Sequence, residues 1–305
     1  MNRTLYILGT ASQVPTRTRN HIGCFLRWDK EGILFDPGEG TQRQLIYAGI
    51  RASEITKICL THFHGDHCLG LPGVIQRISL DRTEHPVEIF YPSSGEGYLQ
   101  SLLNAAIYHR AVSIIPQPIL SPGIVYSDQQ IMIESYPLDH GVDTLGYRLK
   151  EFDQQTILPE LLPDQVRGYD IGQLKRHGRI MVDQQTIYLD EVSTLKTGQG
   201  FAFVLDTRIC DNAYKLAKGV DLMVCEATYL TTEQELAYKY RHLTAAQAAE
   251  IASVAHAKQL VLLHFSQRYA STEGFYKEAS SIHPNVIVAQ DGLVVDMPVH
   301  KRPVP

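Results

Sequence analysis

Short unbroken runs of apolar residues alternate along this chain with longer stretches whose apolar positions recur at helical spacing. Ile58-Cys59-Leu60, Phe201-Ala202-Phe203-Val204-Leu205 and Gln259-Leu260-Val261-Leu262-Leu263 are too short for helices and read as buried strands. Gln130-Ile131-Met132-Ile133-Glu134-Ser135-Tyr136 is strand-like too, and the amino terminus enters a strand pattern at once through Leu5-Tyr6-Ile7-Leu8. Helical stretches are predicted over 40–49, 70–80, 95–109, 211–219, 245–257 and 271–281. The fifth carries its own start signal. Thr244 and Gln247 stand at capping-box spacing just ahead of an alanine-rich run. Strands and helices alternating in this way make an α/β protein, and the pattern holds no internal repeat. Residues 151–200 depart from it, being polar and strand-poor.

Composition bounds the class. A chain of 305 residues with 44% hydrophobic content can bury a substantial core, and the whole length, 1–305, reads as a single large domain. No apolar run is long enough to span a membrane, and the amino terminus lacks a secretory h-region and cleavage site. The five cysteines, Cys24, Cys59, Cys68, Cys210 and Cys225, are odd in number, scattered and free of any Cys-x-x-Cys pair. That usage suits small core residues in a reducing cytoplasm.

The chemistry is concentrated where the apolar runs stop. Ile58-Cys59-Leu60 is followed directly by Thr61-His62-Phe63-His64-Gly65-Asp66-His67. Imidazoles and a carboxylate converging in one loop are ligands that zinc selects, with manganese or iron as alternatives. In an extended turn His62 and His64 point the same way and can share one ion, while Asp66 and His67 turn the other way and can serve a second. Further ligand types stand at the ends of other strand-like runs: Asp139-His140 after Tyr136-Pro137-Leu138, Asp206 after Leu205, and His264 after Leu263. Loops leaving several strands at one edge of a sheet can bring all of these together. Cys68 follows His67 but lies outside the motif and reads as a core residue. His21, His85, His109, His177, His256, His283 and His300 have no comparable setting and read as ordinary side chains.

The His-x-His-x-Asp-His run resembles the first metal motif of the metallo-β-lactamase superfamily. A narrower likeness lies in Leu8-Gly9-Thr10-Ala11-Ser12-Gln13-Val14-Pro15-Thr16-Arg17-Thr18-Arg19-Asn20 and Leu34-Phe35-Asp36-Pro37-Gly38-Glu39-Gly40-Thr41-Gln42. With Leu205-Asp206-Thr207-Arg208, Glu226-Ala227-Thr228 and His242-Leu243-Thr244, these blocks resemble the tRNase Z (ribonuclease Z) family across nearly the whole chain. The resemblance implies an αβ/βα sandwich with an inserted arm over 151–198. It also implies a zinc-dependent endoribonuclease that removes the 3′ trailer from precursor tRNA, leaving a 3′-hydroxyl.

Carried over residue by residue, the resemblance gives His62, His64 and His140 to one metal and Asp66, His67 and His264 to another, with Asp206 bridging. Two Zn2+ per subunit are implied, or Mn2+ or Fe2+ in their place. Asp66 would also orient and deprotonate the attacking water, and His242, held by Glu226, would protonate the departing 3′-oxygen. Arg17, Arg19, Asn20 and Arg208 would face the substrate. The implied arm usually carries a Gly-Pro step, and here Gly168-Tyr169 stands in its place. Its basic residues remain: Lys175 and Arg176, with Arg167 and Arg179, face a single Asp170 over 165–180. That charge can neutralise a few phosphates. The family also implies a homodimer in which one subunit's arm presents precursor tRNA to the other's site.

A net charge of −5 is not that of a strongly basic nucleic-acid binder, although metal ions would add positive charge the formal count omits. The same metal set would serve a phosphodiesterase acting on small or cyclic diesters, which only the arm and the His242–Glu226 pair separate from the nuclease. A non-catalytic RNA-binding scaffold would be expected to lose ligands, and all are kept here. Flavin-linked di-iron relatives carry glutamate where this chain has His64.

Overall fold

The apolar runs become the inner strands of two seven-stranded sheets in the computed structural model, which describes residues 3–298. Strands and helices are numbered in chain order. The first sheet contains β1 (Arg3–Gly9), β2 (Gly23–Trp28), β3 (Glu31–Phe35), β4 (Lys57–Cys59), β5 (Val87–Pro92), β6 (Ile114–Ile119) and β18 (Val294–Asp296), in the order β18-β1-β2-β3-β4-β5-β6. From β18 to β3 the pairing is antiparallel, and from β3 to β6 it is parallel. The second contains β7 (Gly123–Ser127), β8 (Ile131–Leu138), β9 (Thr144–Glu151), β14 (Gly200–Val204), β15 (Leu222–Glu226), β16 (Gln259–Leu263) and β17 (Val286–Val288), in the order β17-β16-β15-β14-β9-β8-β7. Here β14 to β17 run parallel.

Each sheet has helices on its outer face. Leu45 of α1 (Thr41–Tyr47), Leu71, Val74, Ile75 and Ile78 of α3 (Leu71–Leu80), and Leu99 and Leu103 of α4 (Glu96–Leu103) pack with Leu34, Ile58 and Ile89 of the first sheet. The one-turn α2 (Gly65–Cys68) precedes α3. On the second sheet, α6 (Asp211–Ala217), α8 (Ala245–Val254) and α9 (Glu273–Ser280) bury an alanine-rich face against Ala202, Val204, Met223 and Leu260. Between the sheets the contact is aromatic: Phe35 stacks on Phe203 at 4.7 Å, and Phe201 and Tyr147 close in from its sides. Helix, sheet, sheet, helix is the αβ/βα sandwich expected.

The helical stretches read from the pattern are present with trimmed ends. The stretch 95–109 ends as α4 at Leu103, where side chains take the last carbonyls: Asn104 donates to Gln100 O at 2.7 Å and Arg110 to Leu103 O at 2.9 Å. A short helix that the pattern did not suggest, α7 (Gln234–Tyr240), follows β15. His300 lies outside the described residues.

The chain divides into two compact units. The second is Ser127–Met132 with Lys150–Gln199, and it is not strand-poor. It holds β10 (Gln154–Ile157) paired with β13 (Ser193–Lys196), β11 (Arg179–Val182) paired with β12 (Gln185–Tyr188), and α5 (Gly168–His177). Its fully covered core is Leu174, Ile187 and Val192. Strands of four residues resting on so small a core need few apolar positions, which is why the pattern did not reveal them.

Candidate metal centre

The carboxyl ends of parallel strands define one edge of the first unit, and that is where the chemistry gathers. His62, His64, Asp66 and His67 leave β4; Asp206 follows β14; Glu226 is the last residue of β15; His264 follows β16; and His140 follows β8. His62, His64 and His140 bring one ligand atom each within 4.8 Å of one another, as do Asp66, His67 and His264. Asp206 Oδ2 stands between the two groups, 3.3 Å from His67 Nε2, 3.5 Å from His264 Nε2, 3.9 Å from His62 Nε2 and 4.0 Å from His140 Nε2.

Hydrogen bonds on the far side of each ring decide which nitrogen faces inward. Thr61 Oγ1 gives its one proton to Asp36 Oδ2 at 2.7 Å, so it must accept from His62 Nδ1 at 2.9 Å. Thr228 Oγ1 likewise donates to Glu226 Oε2 at 2.7 Å and accepts from His264 Nδ1 at 2.9 Å. His67 Nδ1 donates to Asp36 at 2.8 Å, and His140 Nδ1 to the Arg241 carbonyl at 3.1 Å. Four rings are thereby left with bare Nε2 lone pairs turned toward the cluster. His64 is reversed, its Nδ1 lying 2.9 Å from His62 Nε2 and 3.4 Å from His140 Nε2. Asp36, Arg241 and His264 hold left-handed backbone, with φ of 44°, 57° and 64°. Non-glycine residues in that region concentrate at functional sites.

The donor set fits divalent metal. Lone pairs aimed at one another repel unless a cation lies among them, and a tetrahedral ion at ~2.0–2.1 Å from nitrogen spaces its ligands ~3.3 Å apart. The ring nitrogens here lie 2.9, 3.2 and 3.4 Å apart. Asp206 Oδ1 is buried without a hydrogen-bond partner. Burial opposes charge on His67, yet Asp206, Asp66 and Asp36 outweigh it and push its pKa well up, a concentration of negative charge that a cation would meet. Burial and neighbouring rings push His62 and His64 down, keeping them neutral, as ligands must be. Cys68 is no ligand, since its Sγ donates to His64 O.

Beside the cluster stands a second pair. His242 Nδ1 lies 3.0 Å from Glu226 Oε2, and its Nδ1 is 4.0 Å from Asp206 Oδ2. Burial disfavours the imidazolium, but Glu226 outweighs burial and raises the His242 pKa to about 9. Glu226 is fully buried and also accepts from the Thr207 and Leu243 amides at 2.6 and 3.1 Å, so its position is over-determined. The Thr244–Gln247 capping box is formed in both directions, at 3.2 and 2.9 Å, which holds the chain just after His242.

The residues expected to face substrate are distributed unevenly. Arg17 is exposed, and Arg208 lies near the rim, donating to Asp139 at 2.6 Å and covering the Tyr238 ring at 5.0 Å. Lys175 and Arg176 are exposed in the last turn of α5, in the second unit. Arg19 and Asn20 face inward instead. The Arg19 guanidinium is buried and donates to Ser266 O at 3.3 Å and Tyr269 O at 2.8 Å, while Asn20 donates to His21 O at 3.2 Å and Glu39 O at 2.8 Å. Both tie down the loop rather than reach for a ligand. Asp36, Thr61 and Thr228 were assigned no role from sequence. Asp36 nevertheless directly follows a strand-like run, the signal that had marked Asp206 and His264.

A cleft of about 550 Å³ opens over the cluster, lined among others by Ser12, Gln13, His64, Asp66, His242 and Arg268. Comparison with known proteins agrees with this geometry. Residues 25–159 match the metallo-beta-lactamase superfamily. Ribonuclease Z of Nocardia farcinica is 49% identical over 99% of this chain and 98% of its own length. Ribonuclease Z of Protochlamydia amoebophila is 46% identical over 95% of each. Among solved structures, the short form of human tRNase Z superposes with a TM-score of 0.71 over 97% of this chain and 100% of that one, at 24% identity, a likeness of fold.

Proposed function

Because the chain belongs to the ribonuclease Z family of the metallo-β-lactamase superfamily, and is an endoribonuclease hydrolase on that ground, we propose that it removes the 3′ trailer from precursor tRNA. It does so by hydrolysing one phosphodiester after the discriminator nucleotide, leaving a 3′-hydroxyl on the tRNA. The observation that carries the reading is the Glu226–His242 pair, at 3.0 Å, set beside seven metal-ligand side chains. A simple metal-dependent diesterase needs the ligands, whereas a buried carboxylate holding an adjacent imidazole is an added device for the leaving group.

His62, His64 and His140 would hold one ion and Asp66, His67 and His264 a second, with Asp206 shared; zinc fits these nitrogens best, manganese and iron being alternatives. When bound, a pair of such ions polarises the phosphoryl group and brings the pKa of a water toward neutrality. Asp66 orients the attacking water and accepts its proton. As a metal ligand Asp66 would be ionised at working pH. On the opposite side His242 gives a proton to the departing 3′-oxygen, and Glu226 fixes its tautomer and favours the charged form.

The second unit serves as the arm that grips tRNA, with Lys175, Arg176, Arg167 and Arg179 as phosphate contacts. Arg17 and Arg208 belong to the substrate face of the first unit. A homodimer in the cytoplasm belongs to the same reading; the five free cysteines fit a reducing compartment.

The test is cleavage of a labelled precursor tRNA with zinc or manganese, mapped at nucleotide resolution. One cut after the discriminator nucleotide is expected. Turnover of bis(p-nitrophenyl) phosphate without any tRNA cut would sink the tRNA reading and leave a small-diester phosphodiesterase in its place.

A further inference from the structure

The short helix α7 buries one residue fully, Ala237, and ends in four consecutive exposed side chains, Tyr238, Lys239, Tyr240 and Arg241, directly before His242. Tyr238 is 69% exposed and Tyr240 50%. Arg208 covers the Tyr238 ring, whereas Tyr240 adds nothing to the packing of so small a helix, and an exposed aromatic group of this kind marks a contact surface. Lys239, Tyr240 and Arg241 also line the cleft above the metal cluster. The Lys239 ammonium lies 5.3 Å from the Tyr240 ring centre. The Arg241 guanidinium donates to His140 O at 2.6 Å and to Asp139 Oδ1 at 3.3 Å, while the Arg241 carbonyl orients His140. Cations therefore gather at this mouth in a chain whose net charge is −5.

We propose that Lys239, Tyr240 and Arg241 form a binding step for single-stranded RNA on the leaving-oxygen side of the cut, Tyr240 stacking on a base and the two cations meeting the adjacent phosphates. The inference builds on the ribonuclease reading above and names residues for it in the first unit. Position selects the side: these residues run into His242, so the strand they hold is the one whose 3′-oxygen His242 protonates. Chemistry selects the ligand. An aromatic face flanked by cations suits a base and its phosphate, and stacking tolerates any base. A small diester has only the one phosphate that reacts at the metal cluster, and so none to offer the two cations of this step.

The test uses the full-length, zinc-loaded enzyme with Tyr240→Ala, Tyr240→Phe and Lys239→Ala, measuring kcat and KM on precursor tRNA and on bis(p-nitrophenyl) phosphate. Tyr240→Ala is expected to raise KM for precursor tRNA by about 5- to 160-fold, the range of one lost base stack. The ratio of tRNA to small-diester kcat/KM falls accordingly. Tyr240→Phe restores that ratio, because the ring and not the hydroxyl makes the contact. Lys239→Ala lowers the slope of log KM against log salt by about 0.7, as for one phosphate contact on a single strand. An unchanged ratio in Tyr240→Ala overturns the proposal, as does failure of Tyr240→Phe to restore it. A shift in oligomeric mass at constant tRNA KM also overturns it, making α7 a face between copies of the chain. If the unmodified enzyme turned over the small diester but never cut tRNA, the ribonuclease reading itself would fall, by a separate readout.

Discussion

Asp36 touches no substrate in this geometry, yet two histidines depend on it: His67 directly at 2.8 Å and His62 through Thr61. Asp36→Asn removes the carboxylate that fixes both tautomers, and a 10- to 100-fold fall in metal affinity is expected, about the usual cost of losing such a partner. Competition with a chromogenic chelator measures it; unchanged affinity would mean the outer hydrogen bonds do not set the rings. Asp66→Ala should abolish precursor cleavage while tRNA affinity, read by filter binding, stays near normal. Near-normal turnover in that variant would refute the two-metal assignment. The cluster was legible in the sequence because each proposed ligand stands just past an apolar strand, where identity and position coincide. Asp36 carried the same signal with no histidine beside it in the chain, and its partners at 61 and 67 become neighbours only through the β3–β4 pairing. Arg19 misled in the opposite sense. A loop cation next to a motif reads as substrate-facing, and only the fold reveals the Ser266 and Tyr269 carbonyls that claim it.

Among the elements, α8 was the most legible, since Thr244, Gln247 and an alanine run spell its start and its buried face. Thr244→Ala loses the bond to the Gln247 amide and should cost about 1 kcal/mol of stability, read by urea denaturation. It should also lower kcat on precursor tRNA more than on the small diester, because the cap steadies the chain at His242; equal loss on both would limit the cap to a role in folding. The helix α7 was invisible for the converse reason. With only Ala237 fully buried it has no apolar stripe, and its exposed aromatic residues look like noise to a periodicity argument. The strands β10 to β13 were hidden likewise, each four residues long with mostly exposed or half-buried side chains.

At the scale of the whole molecule, the proposed ligands and the proposed arm fall in different units. All seven proposed ligands lie in the first unit, and the basic face of α5 lies in the second. Deleting residues 155–195 should weaken binding of precursor tRNA while turnover of bis(p-nitrophenyl) phosphate persists. Unaltered tRNA processing by the deletion variant would remove the arm assignment. Metal removal gives a complementary result. Stripped by a chelator, the inward-facing lone pairs repel, so the melting temperature should fall and recover on adding zinc back. A melting curve indifferent to chelation would mean the cluster holds no ion.

Among the described residues the first strand pairs with the last, β1 with β18, and the last of the proposed ligands in sequence is His264. During translation, at about 5–20 residues per second, the early motif at 62–67 therefore emerges long before the partners that complete it. Until His264 leaves the ribosome the nascent polypeptide lacks one of the seven proposed ligands, and until β18 follows, β1 lacks that neighbour. On the proposed ligand set, the metal centre is complete only once residue 264 has emerged.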